Sequence, residues 1–414
     1  MQAKQIEIMS PVGSFEALLA AIQGGAGSVY FGVGRLNMRS RSTQNFTIED
    51  LETITRICRQ NNVRSYLTLN TVVYGGELDE MRNVANAAKK HGVSAVIASD
   101  PAVLSYLKSI GMEIHISTQC NISNIDAVRF YAHFADVMVT ARELTLDQVA
   151  EITTIIQNEQ IKGPSGNLVE IEIFVHGALC MAVSGKCYLS LDNMNSSANR
   201  GACLQQCRRP YIVKDKESGT ELEIDNEYIM SPKDLCTIGI IDKILDAGVS
   251  ILKIEGRGRS PEYVKKVTQV YHQAVEAVQN GTFNEEKVAS WMDELRTVYN
   301  RGFWEGYYLG AKFGEWSGVY GSQATEQKIY VGRITNYFPK IKVAEAKLET
   351  HSVQPGELFS INGPTTGVVD GTFVELRLNI DPVEKVEKGQ VFSFQVEQPV
   401  RRADKLYKIV RNKV

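Results

Sequence analysis

The chain has 414 residues, of which 43% are hydrophobic and 22% are charged, as is usual for a globular protein. That length exceeds what a single core normally supports, so two domains are expected. The net charge of −3 excludes a globally basic nucleic-acid-binding protein, although a local patch of Arg and Lys could still contact phosphates.

Targeting signals and membrane spans are not apparent in the sequence. Residues 1–13 lack the apolar run of a signal peptide, and no stretch approaches the roughly 20 apolar residues of a membrane span. We therefore expect a cytoplasmic protein with no membrane partner, whose thiols stay reduced. The odd number of cysteines, seven, also argues against a full disulfide framework.

Eight short apolar runs alternate with helical patterns between residues 6 and 254, and polar residues follow each run. Strands are predicted at 6–9, 28–31, 64–70, 95–98, 113–117, 136–140, 169–175 and 251–254. This alternation predicts a parallel sheet, and eight strands are the number that closes a TIM-type (β/α)8 barrel. A doubly wound open sheet is the alternative. The barrel is favoured because polar residues follow all the strands rather than those at one crevice.

The connection between the seventh and eighth predicted strands is about three times the usual length, which is typical of a functional insertion. We interpret residues 177–230 as a cysteine-rich insertion above the C-terminal face of the barrel. A hairpin is predicted within it, with strands at 211–215 and 221–225. Helices are predicted at 15–24, 78–91, 234–247, 261–280 and 284–298.

The barrel would occupy residues 1–300, and a second domain is predicted after it. Residues 301–325 are rich in Gly and aromatic residues and are interpreted as a connector. Alternating apolar and polar residues then predict a small all-β, barrel-like domain over 326–414, an antiparallel barrel or a sandwich. Its strand segments would lie at 328–334, 340–347, 356–362, 372–378, 391–397 and 406–412, with turns signalled by Asn362-Gly363 and Asp370-Gly371.

Four of the cysteines follow the seventh predicted strand within 28 residues: Cys180, Cys187, Cys203 and Cys207. Thiolates bind zinc tetrahedrally or hold an iron–sulfur cluster. The intervening stretches of six, fifteen and three residues differ from the two-residue knuckles of zinc ribbons, which favours a cluster held by loops. The simpler alternative is a group of buried cysteines without a ligand.

Arginines recur on the predicted loops and strand ends. Their paired N–H donors suit carboxylates and phosphates, so together they indicate an anionic substrate. Any one of them could instead belong to a solvated, salt-bridged rim. The set comprises Arg35, Arg39, Arg41, Arg142, Arg200, Arg208, Arg209, Arg257 and Arg259.

Residues 172–190 follow the pattern E-x-F-x-x-G-A-L-C-x-x-x-x-G-x-C-x-L-S, and this pattern resembles the signature of the collagenase-like peptidase U family, family thirty-two. Segments at 10–13, 117–119, 141–144, 200–208, 231–235 and 253–257 resemble that family as well, so the resemblance covers the whole chain. Some members were named peptidases or collagenases. Others hydroxylate tRNA wobble uridine, ribosomal RNA cytidine or a ubiquinone precursor without oxygen.

The resemblance implies that the four cysteines carry a [4Fe-4S] cluster. Because of its length and its C-terminal β domain, the chain looks most like the tRNA uridine hydroxylation proteins. We therefore expect a tRNA-modifying enzyme that hydroxylates wobble uridine to 5-hydroxyuridine, with prephenate as co-substrate. Its partners would be the tRNA anticodon loop and a paralogous partner subunit.

Five further residues are predicted to form the site around the cysteines. Arg142, Arg200 and Arg257 are the predicted anion-binding residues, and His176 and Glu255 are the predicted catalytic residues for proton transfer. The alternative function is a peptidase, although the chain contains no HExxH, GxSxG or GxxxxGK[ST] motif. A third class is a non-catalytic scaffold that binds RNA or a partner enzyme through its β domain.

Overall fold

The computed structural model describes residues 6–41, 45–189, 191, 197–209, 213–214, 216–219, 221–222, 231–311, 314–318 and 321–412. Within these ranges, no helix is both long enough and apolar enough to cross a membrane.

The first part of the chain alternates strands and helices, and a few short strands interrupt the pattern. The strands are β1 (Glu7–Pro11), β2 (Ser28–Gly32), β3 (Arg64–Leu69), β4 (Ala95–Ala98), β5 (Ile114–Ile116), β6 (Val137–Val139), β7 (Glu170–Gly177), β8 (Val213–Lys214), β9 (Glu221–Leu222), β10 (Asp234–Cys236), β11 (Ile251–Ile254) and β12 (Phe303–Trp304). The α-helices are α1 (Phe15–Gln23), α2 (Asp50–Gln60), α3 (Leu78–His91), α4 (Pro101–Ser109), α5 (Ile125–Tyr131), α6 (Leu146–Asn158), α7 (Ile241–Asp246), α8 (Pro261–Gln279) and α9 (Glu285–Arg296).

Strands β1 to β7 and β11 close into a parallel barrel, as predicted. The order is β11-β1-β2-β3-β4-β5-β6-β7, and β7 pairs back onto β11. Side chains alternate across each strand, so one set packs outward under the helices and the other fills the barrel. Met9, Tyr30, Tyr66 and Ile97 belong to the inner set. The carboxyl ends of all eight strands therefore meet at one mouth.

The region between β7 and β11 differs from the prediction in one respect. The predicted helix 234–247 is wrong, because residues 234–236 form β10, and only Ile241–Asp246 is α-helical. Strand β10 pairs antiparallel with the end of β7 and parallel with β12. The end of β7 extends beyond its pairing with β6, and β10 pairs with this free edge. Strand pairing here thus overrides the local helical pattern. The predicted hairpin is present as the pair β8 and β9, and the other residues of its two predicted strands lie outside the described ranges.

The C-terminal region is an all-β sheet, as predicted. It contains β13 (Glu326–Phe338), β14 (Val343–Leu348), β15 (Leu358–Gly363), β16 (Gly367–Thr372), β17 (Leu376–Leu378), β18 (Asp381–Val383), β19 (Val391–Gln395) and β20 (Lys405–Arg411). The strand order is β16-β15-β20-β13-β14-β19-β17-β18, and the pairs are antiparallel.

One of the two turn signals in this sheet was misleading. Asn362-Gly363 ends β15 and precedes the turn to β16, as predicted. Asp370-Gly371 instead lies inside β16, opposite Ser360 and Phe359. A Cβ added at Gly371 would lie 2.5 Å from the Phe359 ring, so this glycine serves close packing rather than a turn. The predicted segment 372–378 is therefore divided between the end of β16 and β17.

The β sheet packs against the barrel through α1 and α8. Gln23 donates from Nε2 to the Thr366 carbonyl at 2.9 Å, and Lys265 reaches the Asp370 carboxylate at 2.9 Å. Val368 is fully buried within the core of the barrel domain. The predicted domain limits remain predictions. Helix α9 ends at Arg296, and the first strand of the β sheet begins at Glu326.

Candidate active site

A cavity of about 260 Å³ opens at the carboxyl ends of the barrel strands. Its floor includes Tyr30 of β2, Phe174 of β7 and Lys253 of β11, and the loops that follow the strands form its walls. All four cysteines of the insertion line it: Cys180, Cys187, Cys203 and Cys207. The tertiary fold thus gathers thiols that are spread over 28 residues of sequence.

The thiols are close enough to influence one another. Burial is the main cause that raises the pKa of Cys207, and the charges of Cys180, Cys203 and Cys187 raise it further, whereas Arg208 opposes them. Among the described residues, no three His, Cys, Asp or Glu side chains have the arrangement of a single-ion metal site. The ligands of a cluster each bind a different iron and lie farther apart than those of one ion. The donor set, four thiols on one cavity, fits an iron–sulfur cluster held by four cysteines.

Most of the charged side chains in the described lining are cationic. The described lining contains one carboxylate, that of Glu255. A cavity with this charge pattern favours a ligand that carries negative charge, because each Arg offers paired N–H donors to carboxylates or phosphates. The cationic residues are Arg39, Arg142, Arg208, Lys253, Arg257, Arg259 and Arg301.

Glu255 follows β11 and lies in this cationic environment. Arg39 donates from Nη2 to its Oε1 at 2.6 Å. Burial alone would raise the pKa of the Glu255 carboxyl, but Arg39, Arg259 and Arg142 lower it to about 2. The group is therefore a carboxylate at neutral pH, and in the free protein it orients Arg39. Its predicted role in proton transfer stays a prediction.

Two of the three predicted anion-binding arginines reach the cavity. The Cζ atom of Arg142 lies over the Phe174 ring, 3.7 Å from its centre, and Nη1 donates to the Ala178 carbonyl. The buried Nε of Arg142 has no hydrogen-bond partner among the described residues. Arg257 donates from Nη1 to Asn37 and Thr68 at 3.0 and 2.9 Å. Burial lowers the pKa of Arg257 to about 10, which still leaves it charged at neutral pH.

Arg200 does not line the cavity. It donates to the Glu77 carboxylate and to the Val72 carbonyl, and its guanidinium stacks on the Tyr74 ring at 4.1 Å. The side-chain hydrogen bond from Arg200 lowers the pKa of Glu77 to about 2, against the effect of burial. These contacts tie the cysteine-rich insertion to the loop after β3. The position of Arg200 favours a structural role over substrate binding.

His176 also faces away from the cavity. Phe174 lines the cavity, and simple alternation would put His176 on the same face. However, the pairing of β7 with β11 shifts register between Lys253 and Ile254, so that β7 contains one extra residue. The imidazole instead packs outward against Tyr263 and Tyr271 of α8 and against Phe303.

Burial and, to a lesser extent, the charge of Arg259 lower the pKa of His176 to about 3. The imidazole is therefore neutral at physiological pH. Its Nδ1 lies 3.4 Å from the Tyr271 hydroxyl. This environment favours a packing role over proton transfer.

Sequence reasoning did not single out two residues that the structure brings to the site. In the sequence, nothing distinguished Arg39 from the other eight arginines on predicted loops. Its partner, Glu255, lies 216 residues away in the chain. Lys253 lies in an apolar strand, Ile251–Ile254. One signal in the sequence could have identified Lys253. It precedes Glu255 by two residues, and this spacing puts both side chains on the inner face of the barrel.

The sequence model of Peptidase family U32 matches residues 13–318, which is more than half of the chain. This chain belongs to that family. It is 56% identical over 408 residues to a protein of Porphyromonas gingivalis named "Collagenase", and the match covers 99% of each chain. It is 31% identical over 342 residues to the "tRNA hydroxylation protein P1" of Bacillus subtilis, covering 81% of this chain and 78% of that protein.

The relatives of this U32 chain are thus named for two different enzymatic activities. Among solved structures, that of a U32 peptidase aligns with 62% of this chain and 95% of the other, with 12% identity and a TM-score of 0.40. The closed order of its own strands defines the fold of this U32 protein.

Proposed function

We propose that this U32 protein is a tRNA-modifying enzyme that hydroxylates the wobble uridine to 5-hydroxyuridine without oxygen. The observation that carries the proposal is the shared cavity, in which four thiols face seven cationic side chains and one carboxylate. The relatives named for tRNA hydroxylation support it. The proposed co-substrate is prephenate, which has two carboxylates and a 2-oxo group, and the proposed partner is the tRNA anticodon loop.

The four cysteines would hold a [4Fe-4S] cluster, which would supply electron transfer to a hydroxylation that does without oxygen. The protein's own residues would bind and orient the substrates. Arg142 and Arg257 would pair with carboxylates or phosphate, and the ionised Glu255 keeps Arg39 extended into the cavity. An extruded uridine would enter the open mouth and be read at its edge.

Polar residues at the strand ends suit recognition of such a base. Asn70 donates from Nδ2 to the Ser117 hydroxyl at 3.0 Å and to Gln119 at 3.3 Å, and all three residues line the cavity. Their amide and hydroxyl groups would offer hydrogen bonds to a uracil edge. A paralogous partner subunit is a further proposed partner.

The proposal is tested by deleting the gene and measuring 5-hydroxyuridine and its derivatives in tRNA by mass spectrometry. We expect their loss, restoration by the wild-type gene, and no restoration by Cys187→Ser. Cys58→Ala is the matched control, because Cys58 is buried in α2 and lies outside the cavity. An unchanged amount of 5-hydroxyuridine derivatives in the tRNA of a strain that lacks this gene and every paralogue would refute the proposal.

A peptidase is the second candidate, favoured by the 56% identical relative named "Collagenase". A cysteine nucleophile needs a base within hydrogen-bond reach. The described lining offers thiols and arginines and contains no histidine. Purified protein that cleaves collagen, and loses this activity with Cys187→Ser but not with Cys58→Ala, would establish this function.

A further inference from the structure

A buried lysine forms part of the cavity floor and takes no chemical step of its own in the function proposed above. Lys253 lies in β11 and is 5% exposed. Its Nζ donates to Oε1 of Glu172 on the neighbouring strand β7 at 2.6 Å, and it lies 4.7 Å from the centre of the Tyr30 ring. The amine is therefore held between a buried carboxylate below and the cavity above.

Glu172 connects this amine to a line of titratable groups inside the barrel. Glu172 and His115 are both fully buried, and Oε2 of Glu172 lies 3.7 Å from Nδ1 of His115. Within the described part of the chain, neither of these two atoms has a hydrogen-bond partner. On the other side of the ring, Nε2 of His115 lies 3.4 Å from Glu113, whose side chain is 35% exposed. A proton leaving Lys253 thus has acceptors that lead out of the barrel.

From this geometry we propose that Lys253 is a carbonyl-binding amine that condenses with the keto group of a 2-oxo acid. This proposal rests on the proposed function, because prephenate belongs to that class, and it identifies the group that would hold it. Arg142 and Arg257 line the same cavity and would bind the carboxylate beside the keto group.

The step balances without an oxidant or a reductant. The ammonium of Lys253 first gives one proton to Glu172. The nitrogen lone pair then attacks the carbonyl carbon and forms a C–N bond. The nitrogen passes one proton to the oxygen, Glu172 returns its proton to the nitrogen, and the nitrogen passes a second proton to the oxygen, so that the C–O bond breaks to release water. A protonated imine remains on Lys253.

The electrostatic surroundings favour the neutral amine that this step needs. Burial lowers the pKa of Lys253, and the charges of Arg142 and Arg257 lower it further, while Glu172 opposes them. Buried lysines with lowered pKa values are the ones that proteins use to form Schiff bases. An alternative explanation is a purely structural ion pair at the centre of the barrel, and the experiment must separate the two.

The test is reductive trapping of the purified, full-length protein with pyruvate and cyanoborohydride, followed by peptide mapping. It requires neither tRNA nor turnover. We expect one adduct on Lys253, formed faster than on Lys233, a partly exposed surface lysine that pairs with Glu315. Acetone, which has the keto group but no carboxylate, should label Lys253 far more slowly. Glu172→Gln should slow labelling by pyruvate by on the order of a hundredfold, the lower end of what a positioned base contributes.

Lys253→Arg keeps a cation beside Glu172 and should lose the adduct at an unchanged melting temperature. Wild-type protein modified only on surface lysines would overturn the proposal, and so would equal labelling by acetone and pyruvate. Trapping on Lys253 in a protein that leaves tRNA unmodified would refute the proposed tRNA function alone. Hydroxylated tRNA without trapping on Lys253 would refute the amine alone.

Discussion

At the scale of single residues, the site depends on charges that burial would normally disfavour. Glu255 remains ionised because three arginines surround it, and Arg142 remains beside the cavity with an Nε that no described residue pairs. Polar groups held in this way are typical of functional sites, because a ligand can complete their interactions. His176 shows the opposite case. Aromatic rings enclose it, and it stays neutral.

Glu255→Gln tests the charge assignment through stability. The pKa of Glu255 is lowered from its ordinary value near 4.5 to about 2, so its stabilising contribution is present above 4.5 and is lost as the pH falls toward 2. We expect a loss of roughly 3 kcal/mol in the free energy of unfolding at neutral pH. The deficit should shrink between pH 4.5 and 2, as measured by urea unfolding. A constant deficit over this window would contradict the assignment.

His176→Phe separates packing from catalysis. The pKa of His176 is lowered to about 3, so the neutral side chain contributes fully above its ordinary value near 6.5 and becomes costly as the pH falls toward 3. As the pH falls from 6.5 to about 3, the free energy of unfolding should decrease less for the variant than for the wild type. Formation of 5-hydroxyuridine should persist in cells. A drop of the 10²–10⁴-fold that removal of an acid–base group produces would restore His176 as a catalytic residue.

At the scale of elements, the insertion and β7 are positioned by long-range contacts. The extra residue in β7 reverses the side on which His176 lies. Arg200 attaches the insertion to Glu77, a residue 123 positions away, and its Gly201 neighbour lies against the backbone of Asn37. A Cβ at position 201 would meet the Asn37 carbonyl at an impossibly short distance, so only glycine allows this approach.

Arg200→Ala should therefore loosen the insertion rather than weaken substrate binding. We expect a loss of about 1–3 kcal/mol, as for a charged hydrogen bond, faster proteolysis within residues 177–230, and lower iron content after anaerobic purification. Arg142→Lys is the contrasting variant, with unchanged iron and a raised KM for the carboxylate co-substrate. Normal iron content and a raised KM in Arg200→Ala would return Arg200 to the substrate site.

At the scale of the whole molecule, the β sheet and the barrel share a polar interface as well as an apolar one. Glu262 of α8 accepts a hydrogen bond from Lys328 of β13 at 2.6 Å and another from Asn362 of β15. Its pKa is lowered by these partners against the effect of burial. One carboxylate thus links two strands of the β sheet to the barrel.

Glu262→Ala should weaken this interface without reaching the cavity. We expect faster hydrogen exchange in α8 and β13, while alkylation rates of the four cavity cysteines stay at their wild-type values. Lys342→Ala is the matched control, since its ion pair with Glu397 lies within the exposed part of the β sheet. Increased cysteine alkylation in Glu262→Ala would mean that the β sheet also holds the cavity closed.

The sequence by itself determined the eight barrel strands, the β texture of the C-terminal region and the grouping of four cysteines in one insertion. These features follow from local patterns, because strand periodicity and residue spacing are properties of neighbouring positions. Only the tertiary structure decided which charges meet. The extra residue in β7, the Arg39–Glu255 pair and the line from Lys253 through Glu172 to His115 depend on strand register and on partners more than 50 residues apart. No local pattern encodes such pairings, because burial and register select one partner among several of the same type.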